Sequence, residues 1–208
     1  MRSPDSIRDT DVMRVRPKRP GRRRLVLGFA GLLAAVGVAG ATGAANPAAR
    51  YVLTAYDLGP TYTRNVSVSG SRSLEDISVG DSARVRQELR RYWLGGTVAG
   101  FNGVSGSRGV ISIADVFRAG VPIDDVLEAW ELDAARATKG AFERLPSHSP
   151  GHHPAFVRGT VLNYDVLLYM WSRGRTIASV EVTGSRGEPT TSLLLELVRR
   201  QDAKLKTS

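Results

Sequence analysis

The chain of 208 residues contains no cysteine, which excludes disulfide bonds, thiolate catalysis, Cys-ligated zinc and lipid attachment to an N-terminal cysteine. The catalytic motifs G-x-S-x-G, H-E-x-x-H and the phosphate-binding P-loop are also absent. We therefore expect a protein without enzymatic activity. An exported hydrolase or transferase stays open as an alternative, with an acid pair drawn from Asp115, Glu143 and Asp165.

One long segment, Leu25–Ala45, contains no charged residue; its sequence is LVLGFAGLLAAVGVAGATGAA. About 20 apolar residues of helix cross the hydrocarbon core of a bilayer, so this segment is long enough. Residues 1–24 before it carry nine Lys/Arg and three Asp, and a basic flank stays in the cytoplasm. The sequence therefore predicts a basic cytoplasmic tail (1–24), a transmembrane anchor (25–45) and an extracytoplasmic domain (46–208).

A cleaved signal peptide is the alternative interpretation of the same segment. Ala39-Gly40-Ala41 supplies an A-x-A cleavage site, and Arg22–Val26 is similar to a twin-arginine export signal. The length of the segment and of its tail favours the anchor, whereas its many Gly and Ala residues favour cleavage. The tail also holds +6 of the chain's net charge of +9. The basic balance therefore reflects membrane topology, and we expect no nucleic-acid partner.

Hydrophobic spacing in the remaining sequence predicts a mixed domain. Apolar residues recur at helical spacing in three segments and alternate in four others, the clearest alternation being in Thr160–Trp171. We predict helices at Asp81–Trp93, Pro122–Gly140 and from Pro189 onward, and strands at Thr97–Phe101, Gly109–Phe117, Thr160–Trp171 and Thr176–Thr183. We predict a loop at Phe142–Pro154. The fold class is α+β: an antiparallel sheet of about four or five strands with helices packed on one face, preceded by one transmembrane helix.

Two short motifs are similar to motifs of a known class of domains. Leu53–Leu58 fits an L-x-x-x-D-L opening, and Tyr169–Ala178 fits a strand, an Arg-Gly turn and a second strand before a closing helix. In both respects the domain resembles a poorly characterised class of bacterial extracytoplasmic domains found in lipoproteins and membrane-anchored proteins. The resemblance implies a helix-backed sheet and no known catalysis.

Two groups of polar residues are candidate sites. Gly-Ser-Arg occurs three times, and a convergence of Arg72, Arg108 and Arg186 would bind phosphate or carboxylate. All three histidines lie within six residues, and His148, His152 and His153 could hold a metal ion on an exposed loop. Ordinary turns and a solvated loop are the plainer interpretations. We expect no cofactor.

The function predicted from these features is binding. We expect a membrane-anchored extracytoplasmic domain, held through Leu25–Ala45, that interacts with an envelope protein or a small ligand. A structural subunit of an envelope complex is a further alternative.

Overall fold

The computed structural model describes residues 46–77, 83–104, 106, 108–138, 141–143 and 149–207. The predicted cytoplasmic tail and the predicted anchor, Leu25–Ala45, lie outside these ranges. Within them, no helix combines the length and apolar character needed to cross a membrane.

One antiparallel sheet of seven strands organises the described residues. Its spatial order is β1-β2-β3-β7-β6-β5-β4. The strands are β1 (Tyr62–Arg72), β2 (Trp93–Gly103), β3 (Gly109–Phe117), β4 (Ala141–Glu143), β5 (His152–Val161), β6 (Tyr164–Arg173) and β7 (Thr176–Ser185). Six of these strands are long and β4 has three residues. The predicted antiparallel α+β class is confirmed, but the sheet is wider than the four or five strands expected.

The helices and turns connect these strands. They are a 3₁₀ turn (Ala49–Tyr51), α1 (Ala55–Leu58), α2 (Leu74–Ile77), α3 (Ala83–Tyr92), α4 (Ile123–Thr138) and α5 (Thr191–Lys206). The start of α5 is fixed by Thr190, whose side chain accepts a hydrogen bond from the Leu193 N–H. The three predicted helices correspond to α3, α4 and α5, with ends displaced by a few residues.

Helices cover both faces of the sheet, so the expectation of helices on one face is wrong. Successive side chains of a strand point to opposite faces. In β6, Tyr169 and Trp171 join the core cluster that contains Leu197 of α5, while Leu168 and Met170 join the cluster that contains α3 and α4. The whole run from Val166 to Ser172 is buried for this reason. Such a two-sided strand reads as a continuous apolar run that does not indicate a single core face.

Three predicted segments differ from the observed strands. The predicted loop Phe142–Pro154 contains most of β4 and the start of β5. The predicted strand Thr160–Trp171 is instead the end of β5, a turn at Leu162-Asn163 and most of β6. The apolar alternation continued through the turn because Leu162 is apolar, although it lies in the left-handed region with φ 56°. The polar stretch before Ser73 forms the edge strand β1, which exposes too many polar residues to show a core-facing pattern.

The first described residues are tied into the sheet. The Leu53 N–H donates to Ser112 Oγ at 2.9 Å, and Ser112 Oγ donates to Gln201 Oε1 at 2.8 Å. Gln201 Nε2 in turn donates to the Ile113 carbonyl at 2.7 Å. These buried bonds link the N-terminal segment, β3 and α5 into one unit.

Candidate functional site

The three predicted anion-binding arginines lie at two ends of the sheet. Arg108 and Arg186 flank the end where β3 begins and β7 finishes, and Arg108 Nε lies 3.8 Å from Glu188 Oε1. Arg72 pairs in register with Gly96, which pairs with Asp115 near the far end of β3. Seven residues of extended chain place Arg72 about 24 Å from Arg108 along the strand direction. The structure thus brings Arg108 and Arg186 to one end and Arg72 to the other.

The predicted metal ligands are only partly described. His152 and His153 are exposed at the start of β5, and His148 lies outside the described residues. Nε2 of His153 is 3.5 Å from Asp124 Oδ1. Among the described residues, no group of three His, Cys, Asp or Glu side chains is arranged to hold a metal ion. The histidine site therefore stays a prediction.

Arg72 instead forms a buried ion pair. Its Nη1 contacts Oδ2 of Asp115, and the two side chains are 4% and 0% exposed. The Trp93 indole N–H donates to Asp115 Oδ1 at 3.1 Å. Burial raises the pKa of Asp115 above its ordinary value, an effect opposed by the Arg72 guanidinium and the Trp93 N–H. Gly96 leaves room for this contact, because a Cβ at that position would come within 1.9 Å of Asp115 Oδ1.

A small cavity adjoins this pair. Arg72 Nε and Trp130 Nε1 are buried without a hydrogen-bond partner among the described residues, and both side chains line the cavity. Its volume is about 10 Å³, at the lower limit for a single water molecule. The cavity therefore has no room for an organic substrate, and the ion pair stabilises the packing of β1 on β2 and β3. The sequence offered no signal for the pair, since the contact depends on the order of the strands.

Glu181 is a second buried acid. It lies in β7 between Leu168 of β6 and Ile111 of β3, and it is 6% exposed. No hydrogen bond or ion pair reaches it from the part of the chain that is described. Burial alone raises the pKa of Glu181 to about 7. Four residues of strand separate its position from that of Asp115, a distance of about 13 Å.

An open groove lies between α3 and α4, and we call it the α3–α4 groove. Its volume is about 310 Å³, and its lining is Val85, Glu88, Asp125, Val126, Glu128, Ala129 and Leu132. Four of these side chains are aliphatic and three are carboxylates. Leu132 is 45% exposed at its edge. The volume is at the lower limit of the range for ligand sites, and the lining combines apolar contact area with negative charge.

The acidity of the groove extends along α4. Between Asp124 and Asp133 this helix carries five acidic residues and no basic one. Burial first, and the neighbouring Glu128 carboxylate second, raise the pKa of Glu131 to about 7, while His153 acts in the opposite direction. The mutual repulsion shows that negative charge is concentrated on this helix. A cationic partner would relieve that repulsion.

Comparisons with known proteins find similarity in structure and none in sequence. No protein-family model matches the chain, and no curated protein matches its sequence. Among solved structures, the fold is similar to that of the extracellular domain of PknH from Mycobacterium tuberculosis, with a TM-score of 0.42 and 10% identity, covering 76% of this chain and 94% of that one. This likeness concerns the fold alone.

Proposed function

We propose that this protein is a non-enzymatic extracytoplasmic domain, anchored through Leu25–Ala45 with its N-terminus in the cytoplasm, and that the α3–α4 groove binds an envelope protein. The bound segment carries lysine or arginine beside apolar side chains. The observation that carries this proposal is the lining of the groove, in which aliphatic side chains lie next to three carboxylates and no basic residue.

The two kinds of lining residue have different roles. Val85 and Val126 are almost fully buried and form a floor on which an aliphatic or aromatic side chain can pack. Glu88, Asp125 and Glu128 surround that floor. Complementary charge steers the approach of a partner and excludes acidic ones, while the apolar contact supplies most of the affinity.

The positions of the buried acids support a role without catalysis. Hydrolysis of glycosides by paired carboxylates needs the two groups about 5 to 9.5 Å apart. Asp115 and Glu181 are about 13 Å apart along the strand direction. Asp115 is also engaged by Arg72 and Trp93.

Photocrosslinking in living cells tests the proposal. A photoreactive amino acid replaces Leu132 at the groove in one strain and Leu162, an exposed residue of the β5–β6 turn, in another. We expect adducts at position 132 whose crosslinked peptides contain lysine or arginine, and few adducts at position 162. Replacing Glu88 and Glu128 by glutamine should lower the yield at position 132 about tenfold, while Asp124→Asn, outside the groove, should leave the yield unchanged.

Other results would favour the alternatives. Adducts with acidic segments, or a yield insensitive to the glutamine substitutions, would refute a cation-binding groove. Equal crosslinking at both positions would favour a structural subunit surrounded by partners. Turnover of ester, peptide or glycoside substrates by the purified full chain would favour an exported hydrolase.

A further inference from the structure

The end of the sheet where the described chain begins has a distinct surface. Here β1 and β3 finish, β2 begins and the β6–β7 turn lies, as the pairs Arg72 with Gly96, Trp93 with Phe117 and Arg173 with Thr176 show. We call this surface the proximal end. It is separate from the α3–α4 groove, which lies over one face of the sheet.

Asn46 fixes the chain to the proximal end. Its side-chain amide donates to the Gly96 carbonyl at 2.7 Å and to Ser71 Oγ at 3.1 Å. A Cβ on Gly95 would lie 3.4 Å from Pro47 Cδ, so the backbone of β2 is in close contact with this segment. Asn46 follows directly on Ala45, the last residue of the predicted anchor, and consecutive Cα atoms are about 3.8 Å apart. The chain is therefore bonded to the sheet from the first described residue, which directly follows the predicted anchor in the sequence.

Three exposed arginines gather at the proximal end. The Arg118 N–H donates to the Tyr92 carbonyl at 2.7 Å, which brings Arg118 beside Arg91. The Phe117 N–H donates to the Arg175 carbonyl at 2.9 Å, and this bond places the β6–β7 turn, with Arg175, next to the end of β3. Arg91, Arg118 and Arg175 are all exposed. None of the three makes an ion pair with another described residue.

Two acids near this end, Asp202 and Asp124, contact other basic groups. Asp202 Oδ1 is 2.6 Å from Arg173 Nε, and Asp202 Oδ2 is 3.2 Å from Lys206 Nζ. In the first turn of α4, Asp125 lines the groove and Asp124 contacts His153. A large apolar side chain, Leu94, is 45% exposed directly beside Gly95 and the point where the chain enters.

We propose that the proximal end binds the anionic phospholipid headgroups of the membrane that Leu25–Ala45 crosses, with Leu94 entering the interfacial layer. This inference rests on the proposed function, because it needs that segment to be an anchor. The headgroup region is about 5 to 7 Å deep on each side, and screening at physiological salt acts over about 8 Å. Because Asn46 directly follows the predicted anchor and bonds to Gly96 and Ser71, we expect this surface to lie within both distances. Each arginine near an anionic membrane surface raises the binding constant for that surface about fivefold.

The absence of cysteine allows a direct test on the full chain. Leu94→Cys is labelled with a fluorophore, and the chain is reconstituted in nanodiscs that contain a headgroup-linked quencher. The discs consist of phosphatidylcholine alone or mixed with phosphatidylglycerol. We expect strong quenching with phosphatidylglycerol, weaker quenching without it, and little quenching of a label at Leu162→Cys on the opposite end.

Charge variants identify the residues responsible. Replacing Arg91, Arg118 and Arg175 by glutamine should weaken the lipid-bound state about a hundredfold, which would reduce quenching to the level in phosphatidylcholine. A matched triple variant at the exposed arginines away from this end, Arg64, Arg136 and Arg186, should quench like the parent. Tryptophan fluorescence checks that each variant is folded.

The possible failures can be told apart. If the chain does not float with neutral vesicles, the anchor is wrong and both proposals fail. If it floats but quenching is the same in the two lipids, or survives the loss of the three proximal arginines, only the lipid-binding inference is overturned.

Discussion

Glu181 is expected to make the stability of the domain depend on pH across the neutral range. In the folded protein its pKa is about 7, against an ordinary value of 4.5. Between these values the folded state binds more protons than the unfolded state, so the free energy of unfolding falls as pH rises. The stabilising contribution of the protonated acid is complete below pH 4.5 and is lost as the pH passes through 7.

The change in the free energy of unfolding follows from the pKa shift of Glu181. A difference of 2.5 between the two pKa values corresponds to about 3 kcal/mol at full ionisation, since one unit is about 1.4 kcal/mol. From pH 5 to pH 8 the loss is about 2.5 kcal/mol. This is a sizeable part of the 5 to 15 kcal/mol that stabilises an ordinary domain. The side chain is 6% exposed, so solvent screening reduces the effect little.

Glu181→Gln removes the ionisation while keeping the shape of the side chain. We expect the variant to be more stable than the parent by about 2 to 3 kcal/mol at pH 8, with a much smaller difference at pH 5. Urea unfolding of the full chain in mild detergent, followed by tryptophan fluorescence at several pH values, measures this. Glu196→Gln serves as the control, because Glu196 is an exposed residue paired with Arg200. Parallel stability curves for the parent and Glu181→Gln between pH 5 and pH 8 would refute the reasoning.

Three further substitutions test the packing by urea unfolding. Gly96→Ala should destabilise the domain by about 3 kcal/mol, because the new Cβ would overlap Asp115 Oδ1; equal stability would show that the strand can move away. Arg72→Met should cost about 3 to 5 kcal/mol by leaving Asp115 buried without its counter-ion, and adding Asp115→Asn should recover most of the loss. Gln201→Ala should cost about 2 to 4 kcal/mol, since Ser112 and the Ile113 carbonyl lose their partner.

The sequence predicted α4 and β3 well. The helix α4 shows apolar residues at helical spacing with acids in its first turn, and β3 was predicted with its observed ends. Two other strands were predicted less well. The edge strand β1 has ten of its eleven residues at least partly exposed, so it shows no core-facing pattern. The start of β6 was misplaced because the apolar residue Leu162 continues the alternation through the turn between β5 and β6.

The candidate site depends on contacts that no local pattern contains. In the sequence, Leu132 and Glu128 occupy ordinary positions of an amphipathic helix. They line a groove only because α3 packs beside α4. In the same way, the Gly-Ser-Arg triplet predicted that Arg72 lies in a loop. Its pairing with Asp115, 43 positions away, follows from the order of the first three strands. Long-range strand order is the information that residue spacing does not supply.

The irregular edge strand β1 has a consequence for assembly. Its register on β2 jumps between Asn65 and Gly70, and Ser67 and Ser69 bond back to Asn65 within that interval. A foreign strand that approached this edge would meet no continuous row of free amides and carbonyls. We therefore expect that two copies of the chain do not pair through β1 into an extended sheet.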